Sequence, residues 1–142
     1  MAKKKKKKKI PLRKLLSRAH KKADKAFSIY IRTVTIGNYG KCPICYLEPV
    51  QCCFHFVRRG RKILRWDPRN VIGACNKCNF KEYRDPDLSR AWYIRQFGVD
   101  QYLSLVDESK TSYQPTLEDL QKIIDLYTDK LEALRCNIEY GK

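Results

Sequence analysis

Two Cys-x2-Cys pairs, a β-prone stretch between them, and apolar repeats at three- and four-residue spacing on either side predict an α+β fold. In that fold a small metal-held core carries a basic N-terminal helix before it and additional helices after it. The chain has 142 residues, room for one ordinary domain with appendages. No run approaches the roughly 18–20 apolar residues of a membrane span, so no membrane partner is expected. Thirty-one Lys and Arg against 15 Asp and Glu leave a formal charge of +16, which points to a polyanion. The excess is uneven: net +13 over residues 1–34, +7 over 35–95 and −4 over 96–142. The first two thirds are therefore the part suited to a phosphate backbone.

Residues 1–10 read as a disordered arm, because Lys3 to Lys9 is an unbroken lysine run that repels itself. It serves either as a salt-sensitive nucleic-acid tether or as a solubilising tail. No apolar stretch follows it, so a secretory signal is not expected and a cytoplasmic location is. Residues 11–36 read as an amphipathic helix through Leu12, Leu15, Leu16, Ala19, Ala23, Phe27, Tyr30, Ile31 and Val34. Pro11 suits its first turn and Gly37 lies just past its end. Lys21, Lys22 and Lys25 stand on the opposite surface, a DNA-binding face or simply a solvated one, and His20 reads as a surface residue among them.

Residues 37–108 form the core with its following helices. A loop leads to a hairpin built from the pieces around Val50–Val57 and Ile63–Trp66, turning through the basic residues 58–62. A short helix begins near Cys75 or Asn76. Another runs from Asp87 as N-cap to Gly98, and Asp100 caps a third. Residues 109–142 hold a heptad-like helix through Leu117, Leu120, Ile124, Tyr127, Leu131, Leu134 and Ile138, with Thr116 and Asp119 spaced as a capping box. Its seam could pair two copies into a homodimer or cover its own core.

Cys42/Cys45 and Cys75/Cys78 share the spacing that presents two thiolates to one ion, and two such pairs complete a tetrahedral all-cysteine zinc site. In a chain with so small a core, such a Zn²⁺ supplies much of the folding free energy. Cys52 and Cys53 are adjacent and point to opposite faces of a strand, so they read as small buried hydrophobes, and Cys136 as a packing residue of the last helix.

His55 and Asn70 stand between the cysteine pairs and Asn79 follows the second pair directly. This order resembles the zinc-bearing branch of the HNH, or ββα-metal, nucleases, which are built on a treble-clef core. It is most similar to the phage NinG (Rap) recombination-endonuclease family. The similar stretches are Lys22-Ala-Asp-Lys-Ala-Phe-Ser-Ile-Tyr-Ile-Arg32, Cys53-Phe-His-Phe56, Arg65-Trp-Asp-Pro-Arg-Asn70, Cys75-x2-Cys-Asn79 and Tyr93-Ile-Arg-Gln-Phe-Gly98, within residues 14–106. The resemblance implies a metal-dependent endonuclease acting on branched recombination DNA. In it His55 is the general base, Asn79 a ligand of a catalytic Mg²⁺ or Mn²⁺, and Asn70 the residue that holds the loop orienting the histidine. Arg58, Arg59 and Arg61 could grip phosphates beside them. Phe54 departs from the pattern, since many HNH enzymes carry Asp there. Asp67 is a possible substitute ligand or part of a turn. Two other readings stay open: a non-catalytic zinc-ribbon that binds DNA or RNA, and an HNH nuclease for host-DNA degradation or homing.

Overall fold

Apolar residues at helical spacing wind Leu12–Tyr39 into α1, which buries Ala23, Phe27, Ile31 and Thr35 along one stripe. These details come from a computed structural model that describes residues 9–82 and 85–140; most of the lysine arm lies outside those residues. Pro11 sits one position earlier than expected, as an extended N-cap whose carbonyl accepts from Lys14 N–H at 2.9 Å. The helix also runs three residues past the expected end at position 36. Gly37 is tolerated inside it, and the stop comes at Gly40, whose φ of 72° lets the chain leave the helix.

Two four-residue strands follow, β1 (Cys52–His55) and β2 (Val71–Ala74), paired antiparallel with Cys52 opposite Ala74 and His55 opposite Val71. The expected hairpin partner, Ile63–Trp66, is not a strand. Lys62–Leu64 form a 3-10 turn instead, and Asp67-Pro68 begins a second turn in which Asn70 N–H donates to Asp67 O at 2.9 Å. Proline has no N–H to offer a ladder, so the chain cannot pair until Val71.

Side chains alternate across the two strands, and each face of the sheet covers its own core. Phe54, Ile72 and Ala74 join Cys42, Cys75, Cys78, Leu64, Trp92, Tyr93 and Leu105 on one side. Val71, with half-buried Cys53, joins Ala23, Phe27, Ile31, Trp66, Leu120 and Tyr127 on the other. Three helices complete the first core: α2 (Asn76–Glu82), α3 (Pro86–Phe97) and α4 (Val99–Glu108). Asp87 does not cap α3. Asp85 occupies that position and Pro86 takes the first turn, where its missing N–H costs nothing. Asp100 likewise lies inside the first turn of α4, behind Gly98, whose φ of 89° makes the corner between the two helices.

The last helix, α5 (Leu117–Tyr140), starts at the reciprocal cap read from the sequence: Thr116 N–H donates to Asp119 Oδ2 at 2.8 Å and Asp119 N–H to Thr116 Oγ1 at 3.1 Å. Its seam packs on α1 within the same chain. Leu120, Tyr127 and Leu131 are buried, and the Phe27 and Tyr127 rings meet edge-on at 4.8 Å. Each such side chain contributes roughly 1.5–3 kcal/mol. Further along, Ile138 is exposed, and so is Cys136, contrary to expectation. His20 is also misplaced by the sequence pattern, for its ring lies against Trp66 at 5.5 Å and is half-buried. No described helix is long and apolar enough to cross a membrane.

The closest approach of α1 to the sheet is at Gly73, whose N–H donates to the buried Thr35 Oγ1 at 2.9 Å. A Cβ there would stand 2.7 Å from Val50 Cγ1 and 2.9 Å from Thr35 Cβ and Oγ1. Gly73→Ala is therefore expected to cost about 1–3 kcal/mol, read as a lower midpoint in urea unfolding with an unchanged slope.

Candidate metal centre and cleft

The first cysteine pair sits on a tight knuckle. Cys42 N–H donates to Glu48 O at 2.9 Å, Tyr46 N–H donates back to Cys42 O at 2.8 Å, and Tyr46 adopts a left-handed φ of 58°. The second pair spans the end of β2 and the start of α2: Cys75 follows Ala74, and Cys78 N–H points at Cys75 Sγ from 3.4 Å. The four sulfurs lie within 4.8 Å of one another. Cys45 and Cys75 Sγ are 3.8 Å apart, about the edge of a sulfur tetrahedron around zinc at ~2.3 Å. That separation is far too long for a disulfide, which needs about 2.05 Å. Cys42, Cys45, Cys75 and Cys78 can thus hold a structural metal such as zinc. Burial opposes ionisation of Cys45, but the N–H groups of Glu48 and Leu47 and the neighbouring thiols prevail and bring it to about 6, while burial and the adjacent thiols push Cys75 and Cys78 up. Cys52 stays outside the cluster. Its thiol donates to Ala74 O at 3.4 Å and is pushed up to about 11, mainly by burial. Trp92 braces the knuckle by donating from Nε1 to Pro43 O at 3.1 Å.

Beside the metal cluster, α1, β1, the 56–60 segment and α2 enclose a cleft of about 990 Å³. His55, Asn79, Arg58, Arg59 and Lys25 all line it, so five of the residues singled out in the sequence meet there. Lys21 and Lys22 are exposed on α1 and Arg61 is exposed beyond the turn, none of them on the cleft wall. The wall also holds Arg32, Ser28 and Asp24, which lie in the similar stretch 22–32 but are assigned no site role by the sequence pattern. Asp24 had one visible signal, as the single acid in residues 1–34. Lys25, Arg32, Arg58 and Arg59 against Asp24 make this an anion-seeking cavity.

His55 ends β1. Its Nε2 lies 3.1 Å from Arg65 O. A carbonyl can only accept, so the neutral ring carries its proton on Nε2 and keeps its lone pair on Nδ1. Nδ1 has no partner among the described residues. Burial lowers the pKa of His55 below 6.5, Arg59 and Arg65 lower it further, and the Arg65 carbonyl and Asp24 pull the other way without winning. The surroundings thus bias the ring towards its neutral form.

Asn70 is fully buried and works behind the cleft. Its Oδ1 accepts from Val57 N–H at 2.7 Å, while Nδ2 donates to Val57 O at 3.0 Å and Leu64 O at 3.1 Å. It ties both ends of the 57–65 loop, one residue from the carbonyl that holds His55. Asn79 stands in the first turn of α2, its N–H on Cys75 O at 3.1 Å and its carboxamide unbonded among the described residues. Asp67 is not on the cleft wall. It caps the turn through Arg69 N–H at 2.9 Å and pairs with the Arg69 guanidinium at 2.6 Å. Phe54 faces inward, its ring 5.0 Å from that of Phe56.

Compared with protein-family models, with curated proteins and with solved structures, the chain matches none of them.

One zinc per chain is expected by elemental analysis. Stripping it with a strong chelator, or replacing one ligand by Cys75→Ser, should remove the cooperative unfolding transition, because apparent zinc-binding free energies of about 10–16 kcal/mol are folding free energy in domains this small. A Cys75→Ser chain that unfolds like the parent would argue against the metal.

Proposed function

We propose that this chain is a divalent-ion-dependent DNA endonuclease of the HNH type, similar to the phage NinG (Rap) family, acting on branched recombination intermediates such as junctions and D-loops. The observation that carries the reading is the convergence of a neutral His55, with Nδ1 free, and the unbonded carboxamide of Asn79 on one basic cleft. The order of a cysteine knuckle, two antiparallel strands and a helix that begins inside the second cysteine pair is consistent with a treble-clef, ββα-metal arrangement. The preference for branched DNA rests on the family resemblance.

In this reading the phosphodiester enters between α1 and the 58–60 turn, where Lys25, Arg32 and Arg58 hold phosphate oxygens. His55 Nδ1 accepts the proton of the attacking water, while the Nε2–H bond to Arg65 O keeps the ring in the tautomer that can do so. The Asn79 Oδ1 atom would be the protein's ligand for Mg²⁺ or Mn²⁺. When bound, that ion supplies charge stabilisation at the phosphoryl group and leaving oxygen. Asn70 acts at a distance by fixing the loop. One protein oxygen is a thin ligand set for a hard cation, so metal affinity should be weak until phosphate and water complete the shell.

Junction DNA should be nicked in the presence of Mg²⁺ or Mn²⁺. His55→Ala should lower cutting by about 10²–10⁴-fold with DNA affinity retained. Because the imidazole is held below 6.5, cutting should persist as pH falls through 6.5 and fail only below it. Tight binding with no cleavage under any divalent ion would replace this reading with that of a non-catalytic zinc module. Equal cutting of linear duplex and junction would favour an HNH nuclease of another role.

A further inference from the structure

The nuclease reading makes one carbonyl important, and its position is set from α1. Arg65 O holds His55 Nε2, yet Arg65 belongs to an irregular loop with no strand ladder to fix it. Asn70 secures the preceding carbonyl, Leu64 O. On the other side stands Asp24. Its Oδ1 accepts from Arg65 Nε at 2.9 Å and Trp66 Nε1 at 3.0 Å, and its Oδ2 accepts from Arg65 Nη2 at 2.6 Å and Arg59 Nη2 at 2.5 Å. Two consecutive loop side chains are thereby clamped to one carboxylate, the arginine in the two-pronged geometry that fixes orientation as well as distance. The clamp is well shielded, with Arg65 17% and Asp24 23% exposed at the side chain. All four of these bonds occupy the carboxylate, so Asp24 is placed to anchor rather than to ligate a cation.

We infer that Asp24 is a positioning residue for His55, acting through Arg65: α1 holds the loop carbonyl that selects the imidazole tautomer leaving Nδ1 free for the reaction. The inference rests on the nuclease reading for its catalytic meaning, while its structural half is independent of it. The basic helix, in this account, does more than attract DNA, because it also sets the base.

The test uses the zinc-loaded full chain and the ring-nitrogen chemical shifts of its two histidines at mildly alkaline pH, with His20→Gln supplying the assignment. The parent should show His55 mostly as the Nε2–H tautomer. Asp24→Asn keeps the shape but cannot hold the arginine in two-pronged fashion, and should give a mixture of tautomers. Arg65→Gln should do the same from the other end of the clamp, and carries the test if Asp24→Asn fails to fold. Arg59→Gln, which touches Asp24 without belonging to the carbonyl's residue, should leave the tautomer balance at mildly alkaline pH as in the parent and alter only the pH at which the ring takes up its second proton. With junction DNA, Asp24→Asn should lower kcat by about ten- to a hundred-fold with little change in KM. Unchanged His55 ring nitrogens in folded Asp24→Asn and Arg65→Gln would overturn the inference. Altered ring nitrogens together with no cutting even by the parent would overturn the nuclease reading and uphold the Asp24–His55 link.

Discussion

Four sulfurs drawn from two distant stretches of chain meet at one point, and a metal held among them would fix this molecule's geometry. A two-stranded sheet of four-residue strands has too few ladder bonds to stand alone in water. The Cys42–Cys45 knuckle, gathered against Cys75 and Cys78, closes the ends of that hairpin onto the start of α2. Everything nearby inherits its placement from this closure. Asn79 faces the cleft because it follows Cys78 directly on a helix whose first turn is held, and Trp92 of α3 is bonded to the knuckle itself. The aromatic stack of Phe56 on Trp92, 5.6 Å apart and 7° from parallel, covers the cysteine cluster's side of the sheet.

The opposite requirement is met in the loop between the strands. It is buried at Leu64, Trp66 and Asn70 and has no ladder there, so its polar groups need other partners. Asn70 supplies three bonds, Tyr93 Oη donates to Arg69 O at 3.0 Å, and Tyr127 Oη donates to Trp66 O at 2.9 Å. Asp24 adds the charged clamp. Burial would raise its pKa, but the Arg65 and Arg59 guanidinium groups hold it below the usual carboxylate range. Side chains from α1, α3 and α5 thus converge on a segment that has almost no regular structure of its own. An irregular segment held in this way can present one carbonyl to a histidine as firmly as a strand would.

What the sequence disclosed follows from the range of the interactions involved. The cysteine quartet was legible because its spacing is local within each pair, and the Thr116/Asp119 cap because it spans three residues. The α1 stripe was legible as a period. The second strand was misread because Ile63, Leu64 and Trp66 have strand-like composition, while what denies them a strand, the Asp67-Pro68 turn and the Asn70 bonds, lies further along. Cys136 looked like seam and proved exposed, since a heptad pattern does not say how far the partner helix extends. Asp24 could be noticed as a lone acid, but its four bonds join residues 35 to 42 positions apart, and no periodicity encodes such a meeting. The residues carrying the family resemblance meet in part: His55 and Asn79 share a wall, and Asn70 supports it from behind.

If a zinc-held frame sets Asn79 as a ligand of one divalent ion and His55 beside that ion's bound water, as proposed, both residues should sense the ion together. Paramagnetic broadening by Mn²⁺ tests it most directly, using zinc-loaded protein with a short non-hydrolysable DNA branch and following the His55 ring and the Asn79 carboxamide. Both signals should broaden together at the same Mn²⁺ concentration, and neither should do so in protein stripped of zinc. Broadening of one without the other, or of neither while Mn²⁺ binds elsewhere, would contradict it.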